Sequence, residues 1–256
     1  DPLLRIPRYQ IGKTGVENKL DRSLRGIAGT RQVEVNANGR IIRELGQIDS
    51  TAGPDVQLTI DTSLQNYAQA RLAGESASAV VMDIETGELR CIASAPTFDP
   101  NKFVRGISVQ DWTSLNEDPY RPLAAKAFQG TYPPGSTYKM IVALAALEAG
   151  VIAPEETVYC PGFVDVGETR FHCWKRGGHG NMNLHESLKQ SCDSYYYEVS
   201  QRVGIDAISQ MAARFGLGER YDLPLSAVAQ GLNPTREWKR GVRDESWRIG
   251  DTVNTA

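Results

Sequence analysis

The sequence predicts an α+β fold, an antiparallel sheet flanked by helices. Two kinds of segment carry that prediction. Residues 31–43, and the pair 77–83 and 88–94, read as β-hairpins. Residues 136–149, 188–203 and 205–215 carry apolar side chains in the pattern of packed helices.

In chain order, residues 1–50 are polar and turn-rich. Within them Asn38-Gly39 marks a hairpin turn, because a tight two-residue turn needs positive φ at both positions. Ala52-Gly53-Pro54 reads as a boundary. Residues 55–60 read as a strand, and Asp61 or Thr62 can cap a helix over 63–72. The hairpin 77–94, joined by Glu85-Thr86-Gly87, is expected to be central in a sheet, with Cys91 buried in it. Residues 96–130 read as loop with short helices, and 151–185 as loop. Tyr132-Pro133-Pro134-Gly135 breaks regular structure ahead of the helix 136–149, which is expected to bury Met140, Ile141, Val142, Leu144, Ala145 and Leu147. Gly150 suits its end, as Gly216-Leu217-Gly218 suits the end of 205–215.

A chain of 256 residues with 41% hydrophobic content can bury a sizeable core. A net charge of -3 and the lack of any basic block with aromatics argue against nucleic acid as a partner. No apolar run is long enough for a transmembrane helix, and no signal peptide is visible. The opening residues, Asp1-Pro2-Leu3-Leu4-Arg5, and the closing ones, Gly250 to Ala256, both read like the middle of a longer protein.

Ser136 and Lys139 form a Ser-x-x-Lys pair, and positions i and i+3 share one helix face. A serine hydroxyl is a poor nucleophile near neutral pH, and a desolvated lysine amine held beside it can take its proton. Ser136 follows Pro-Pro-Gly and opens its helix, where its backbone N–H is left to face a developing oxyanion. The spacing alone carries little, since about one chance Ser-x-x-Lys is expected in a chain of this length. Ser191-Cys192-Asp193 precedes another helical segment and can aim two polar groups into one cleft, although Ser and Asp are also ordinary N-caps.

Pro134-Gly135-Ser136-Thr137-Tyr138-Lys139-Met140, followed by Ser191-Cys192-Asp193-Ser194-Tyr195-Tyr196-Tyr197, resembles the class B penicillin-binding proteins, and among them the elongation-specific penicillin-binding protein 2 group. The resemblance extends to Gly12-Lys13-Thr14-Gly15-Val16-Glu17, Leu24-Arg25-Gly26 and the stretch 34–40, which match the pedestal of that family. Leu58-Thr59-Ile60-Asp61, Ala95-Pro96-Thr97-Phe98-Asp99-Pro100-Asn101 and Gly250-Asp251-Thr252 match its catalytic domain. It implies a pedestal over 1–52 and a transpeptidase domain over 53–256. The implied fold is the penicillin-binding/transpeptidase fold: an antiparallel sheet with an all-helical subdomain, Ser136 in the cleft between them, and a β-rich pedestal remnant.

The implied activity is that of a peptidoglycan D,D-transpeptidase. Ser136 attacks the penultimate D-Ala carbonyl of a stem peptide, Lys139 deprotonates it, and Ser191 and Asp193 help pass the proton to the leaving amine. Many relatives carry Asn where Asp193 stands. β-Lactam antibiotics would acylate the same serine. A serine β-lactamase-like hydrolase and a non-catalytic β-lactam sensor remain the alternatives. The resemblance also implies a membrane anchor outside this chain, the periplasmic face of the inner membrane, and a RodA-type membrane glycosyltransferase with other elongation-complex proteins as partners.

The family's third motif is Lys-Thr/Ser-Gly. Lys13-Thr14-Gly15 has that composition but precedes Ser136, so it is read as a decoy. The true motif is expected beyond the stretch ending at Ala256, and a molecule that stopped there is expected to lack transpeptidase competence.

Cys160, Cys173, His179 and Cys192 offer a Cys₃His ligand set, although their spacing is not that of a compact Cys-x-x-Cys knuckle. A Cys160–Cys173 disulfide is the rival, because the family works in an oxidising compartment. A metal site near the second motif in the penicillin-binding protein 2 group favours structural zinc. His179, in Gly177-Gly178-His179-Gly180, is then preferred to His172 and His185. No organic cofactor is expected. Trp174 and Tyr195 to Tyr197 can line a substrate groove, but they read first as packing residues.

Overall fold

The computed structural model describes residues 2–6, 9–104 and 106–256; Asp1 of the opening run, with Pro7, Arg8 and Arg105, lies outside the described residues. The chain divides into two compact units, residues 1–130 with 221–229, and residues 131–220 with 230–256.

In the first unit, short helices α1 (Gly15–Lys19) and α2 (Asp21–Leu24) precede an antiparallel pair, β1 (Thr30–Val35) and β2 (Ile41–Ile48). Their turn is wider than the two-residue form expected from Asn38-Gly39. Gly39 alone takes positive φ there, at 76°. The Asn36 carboxamide instead accepts the Asn38 and Arg40 N–H groups, each at 3.0 Å, and does locally what a second positive-φ residue would have done.

The next hairpin, β3 (Ala77–Met82) with β4 (Leu89–Ala95), forms as expected, and Cys91 is fully buried. Among the described residues the hairpin pairs with no third strand. Helix α3 (Thr62–Arg71), capped by Asp61 through a 2.9 Å bond from the Leu64 N–H, lies along β4. The Gln65 carboxamide takes both the N–H and the C=O of Ile92 at 2.8 Å, and the Gln69 amide donates to Ser94 O at 3.0 Å. These side chains occupy the outer edge of β4 at Ile92 and Ser94. Residues 55–60, expected as a strand, form none. They are tied to β4 by the Thr59 hydroxyl on Leu89 O, at 2.7 Å, and next to them by Asp61 N–H on Arg90 O, at 2.9 Å. Short helices α4 (Asn101–Val104), α5 (Val109–Glu117) and α6 (Lys126–Gln129) follow.

The second unit opens on a 3₁₀ turn, Gly135–Tyr138, that runs into α7 (Lys139–Glu148). Alanines at 143, 145 and 146 let α7 approach its neighbours closely, and Gly150 ends it at φ 66°. Ile141, Val142, Ala145 and Ala146 are buried, whereas Met140 and Leu144, expected inside, are 54% and 41% exposed. The segment read as loop contains two small ribbons: β5 (Val158–Cys160) with β8 (Gly180–Met182), and β6 (Phe163–Val166) with β7 (Thr169–His172). The helix expected over 188–203 is two helices, α8 (Leu184–Lys189) and α9 (Asp193–Val203), with Ser191 and Cys192 at the break. Helix α10 (Ile205–Arg214) follows. Tyr195, Tyr196 and Val199 of α9 pack with Ile208, Met211 and Ala212 of α10 against α7 in one core, which also contains Cys160, Cys173 and Cys192.

Helices α11 (Arg236–Arg243) and α12 (Ile249–Thr255) complete the unit. Asp251 joins them: its Oδ2 accepts the Arg248 N–H at 2.6 Å and Lys239 Nζ at 2.7 Å. Burial raises this carboxyl's pKa, but the Lys239 ammonium and the Arg248 N–H outweigh it and hold the group below its ordinary 3.8. A carboxyl depressed by folding stabilises the fold above its ordinary value, and that contribution is lost as pH falls through the folded value. Asp251→Asn is therefore expected to lower the melting temperature at pH 7, with the gap to wild type closing below about pH 4. Thermal melts at both pH values check this, and a gap that stays constant would contradict it.

Candidate active site

Ser136 is the second residue of the 3₁₀ turn, so its N–H lies ahead of the turn's first hydrogen bond, and its side chain is exposed. Lys139, one turn on, is buried, 5% exposed. Its Nζ lies 3.2 Å from Ser136 Oγ, 3.0 Å from Ser191 Oγ, 3.0 Å from the Ser191 carbonyl and 2.5 Å from Asp193 Oδ1. The Ser191 hydroxyl donates to Ser136 Oγ at 2.9 Å. The other three residues singled out in the sequence thus converge on Lys139 Nζ, and the two hydroxyls and Nζ form a closed triangle. The Tyr196 ring lies 5.8 Å from Nζ. Burial pushes the Tyr196 hydroxyl up to about 12, against a lowering by Ser187, so it stays neutral and is no base.

Ser191 reaches this position through the end of α8. Cys192 N–H bonds to Ser187 O at 2.9 Å and Ser191 N–H to Leu188 O at 3.2 Å, the paired bonds of a Schellman cap. Ser191 holds the position that glycine usually fills, at φ 51°. A β-carbon there is strained by about 1–2 kcal/mol, so the hydroxyl is held in the site against a local preference for glycine. Ser191→Gly and Ser191→Ala both remove the hydroxyl, but only alanine keeps the strain. The glycine variant is expected to be more stable than the alanine variant by about 1 kcal/mol, as read from denaturant midpoints. Equal midpoints would show that the turn carries no strain.

Beneath this site Cys160, Cys173, His179 and Cys192 come together, their ligand atoms all within 4.8 Å of one another. The three cysteines are free and at most 1% exposed. His179 Nδ1 faces the sulfurs of Cys160 and Cys173 at 3.6 and 3.5 Å, and its Nε2 is buried without a hydrogen-bond partner. A tetrahedral zinc with Zn–S of about 2.3 Å and Zn–N of about 2.0–2.1 Å sets an S···N edge of about 3.6 Å, so the donor set fits the ion in chemistry and the two His179–cysteine edges match it in spacing. Burial pushes the Cys192 thiol up, and burial also raises Cys160, where Ser194 and the His179 backbone and ring outweigh it and leave the thiol at about 6. The loop can close on itself because Gly162 and Gly178 cross there: a β-carbon on Gly178 would stand 2.3 Å from Cys160 O. His172 and His185, the alternative ligands, are both exposed and outside the cluster.

Lys13-Thr14-Gly15 belongs to the first unit, at the start of α1, with the Gly15 N–H on Ser226 Oγ at 2.8 Å. Tyr195 and Tyr196 are core residues, as expected. Trp174 is not: it is 63% exposed, and it bonds to both Asp193 and Ser191. Among the described residues no helix is long and apolar enough to cross a membrane.

A sequence profile of the penicillin binding protein transpeptidase domain matches residues 77–256, and one of the penicillin-binding protein dimerisation domain matches residues 6–58. The chain is 42% identical over 247 residues to the peptidoglycan D,D-transpeptidase MrdA of Escherichia coli K12, across 96% of this chain and 39% of that protein. It superposes on Pseudomonas aeruginosa PBP2 in complex with WCK 5153 with a TM-score of 0.85 at 35% identity, covering 99% of this chain and 53% of the other. For PBP2 of Helicobacter pylori in complex with MreC the TM-score is 0.86 at 35% identity, covering 96% and 46%. The chain thus spans 39% of the length of its E. coli relative.

Proposed function

The chain belongs to the penicillin-binding protein transpeptidase family, and from that premise we propose that the protein is a peptidoglycan D,D-transpeptidase acylated at Ser136. The observation that carries this reading is the triangle of Ser136 Oγ, Lys139 Nζ and Ser191 Oγ, with edges of 3.2, 3.0 and 2.9 Å. Ser136 Oγ attacks the penultimate D-Ala carbonyl of a stem peptide, and its proton passes to Lys139 Nζ. Two further N–H bonds, to the Ser191 carbonyl and Asp193, aim the lone pair at Ser136. The Ser136 N–H faces the developing oxyanion. On collapse, Ser191 relays the proton from Lys139 to the departing D-Ala amine, and the acyl-enzyme is resolved by an amine of a neighbouring stem peptide. β-Lactams enter the same first step and stall there.

Zinc held by Cys160, Cys173, His179 and Cys192 belongs to the same proposal. Four protein ligands complete a tetrahedral shell, so the ion is structural and takes no part in acyl transfer. Peptidoglycan chemistry places the site at the periplasmic face of the inner membrane. Three neighbouring thiols in that oxidising compartment need a metal to remain thiolates rather than pair as a disulfide. In the cell-elongation setting the partners are an MreC-type scaffold, as in the Helicobacter pylori complex, and a RodA-type glycosyltransferase.

The test is covalent labelling of the full-length protein by a fluorescent penicillin. One label per chain on the Ser136 peptide, lost in Ser136→Ala and released slowly, is the expected result. Absence of an adduct refutes the acyl-transfer reading, and rapid release would make the protein a hydrolase instead.

A further inference from the structure

Trp174 lies in the loop between two members of the thiol–imidazole cluster, Cys173 and His179, and its ring meets the His179 ring edge-on, with centroids 5.2 Å apart. At 63% exposure, burial does little to hold the indole in place. Hydrogen bonds do. The Trp174 backbone N–H donates to Asp193 Oδ2 at 2.7 Å, and the indole Nε1–H is shared by the Gln190 and Ser191 carbonyls, each at 3.1 Å. Of these three acceptors, two belong to active-site residues, Asp193 and Ser191. The other oxygen of Asp193 receives Lys139 Nζ, and so does the Ser191 carbonyl, at 3.0 Å. Gln190 and Ser191 also form the strained turn that presents the Ser191 hydroxyl.

We infer that Trp174 is a positioning residue that fixes Ser191 and Asp193 relative to Lys139 and ties their geometry to the Cys160, Cys173, His179, Cys192 cluster. The backbone N–H orients the Asp193 carboxylate. The indole N–H holds the Gln190–Ser191 carbonyls so that Ser191 Oγ stays on Ser136 Oγ. A displaced loop 173–179 withdraws both donors together. Its effect on rate rests on the acyl-transfer reading above; its geometry does not.

Two replacements isolate the indole N–H in the full chain: Trp174→Phe, and 3-benzothienylalanine at 174, which keeps the bicyclic shape and lacks only the donor. Loss of one neutral hydrogen bond is expected to slow the first-order acylation of Ser136 by a fluorescent penicillin about threefold to tenfold in both. Affinity for the initial complex and metal content per chain should stay at wild-type values, which a general structural defect would not leave intact. Unchanged acylation in both, or a loss confined to initial binding, overturns the inference. An NMR measurement decides it without turnover. The Trp174 indole N–H signal, identified by its absence in Trp174→Phe, should exchange slowly with D₂O despite the exposed ring and lose that protection when metal is chelated. Exchange at the rate of an open indole overturns the inference. If wild type is not acylated at all, the transpeptidase reading fails and the exchange measurement still judges this one.

Discussion

Replacing Lys139 by Met is expected to slow acylation of Ser136 by about three to four orders of magnitude, the upper range for loss of a positioned general base. The side chain meets four oxygens belonging to three other residues, so its loss removes the proton acceptor and leaves Ser136 and Ser191 joined only by their own hydroxyl bond. Met fills similar volume in a site only 5% exposed, which limits the packing loss. Asp193 keeps the Trp174 N–H and is 21% exposed, so water can share the charge left behind. Lys139→Arg separates the two roles. A guanidinium can still pair with Asp193 but cannot give up its proton to become a base. It should preserve more of the thermal stability than Met and none of the acylation. An Arg or Met variant labelled within tenfold of wild type, in stopped-flow with a fluorescent penicillin, would remove Lys139 from the proton path.

The Ser–Lys half of this site was legible because it is local: the three-residue spacing places Ser136, in the 3₁₀ turn, beside Lys139 at the start of α7. Ser191 and Asp193 were legible as a motif but not as a geometry. The sequence pattern ran one helix through them, since Leu188 to Val203 keeps helical spacing. What breaks it is a left-handed serine at a cap where glycine is the ordinary signal, and a serine gives no local warning of positive φ. The Cys and His cluster was proposable from residue types alone, but its convergence depends on a loop crossing at Gly162 and Gly178, which is a contact distant in sequence.

The fold divides in the same way. The cap at Asp61, both hairpins and the helices α7 and α10 follow from short-range pattern. The strand expected over 55–60 failed because a strand is defined by its partner, and this stretch meets β4 through the Thr59 side chain rather than through a backbone ladder. Trp174 was expected to pack because tryptophans usually do. The competing demand was its donor group, which finds the Gln190 and Ser191 carbonyls at the surface.

Removing the proposed zinc is the second change with a large expected effect. The protein as isolated should carry one zinc per chain, and a strong chelator should lower its melting temperature by about 8–16 °C. The figure follows from linkage: an ion present at about a thousandfold above its dissociation constant stabilises by about 4 kcal/mol, and a domain of this size shifts by about 2–4 °C per kcal/mol. The loss should be more than thermal, because the cluster lies directly beneath the second motif: Cys192 is the N-cap of α9, and the next residue is Asp193. Released thiols at Cys160, Cys173 and Cys192 should become reactive to a thiol reagent, and penicillin acylation should slow as the Trp174 N–H groups leave Asp193 and Ser191. The disulfide alternative predicts the reverse pattern: no metal, two thiols missing before any treatment, and a melting temperature that falls with reductant rather than with chelator. The two sets of results do not overlap, so metal analysis and a thiol count on the same sample decide between a zinc-bound and a disulfide-bonded loop beneath Ser136.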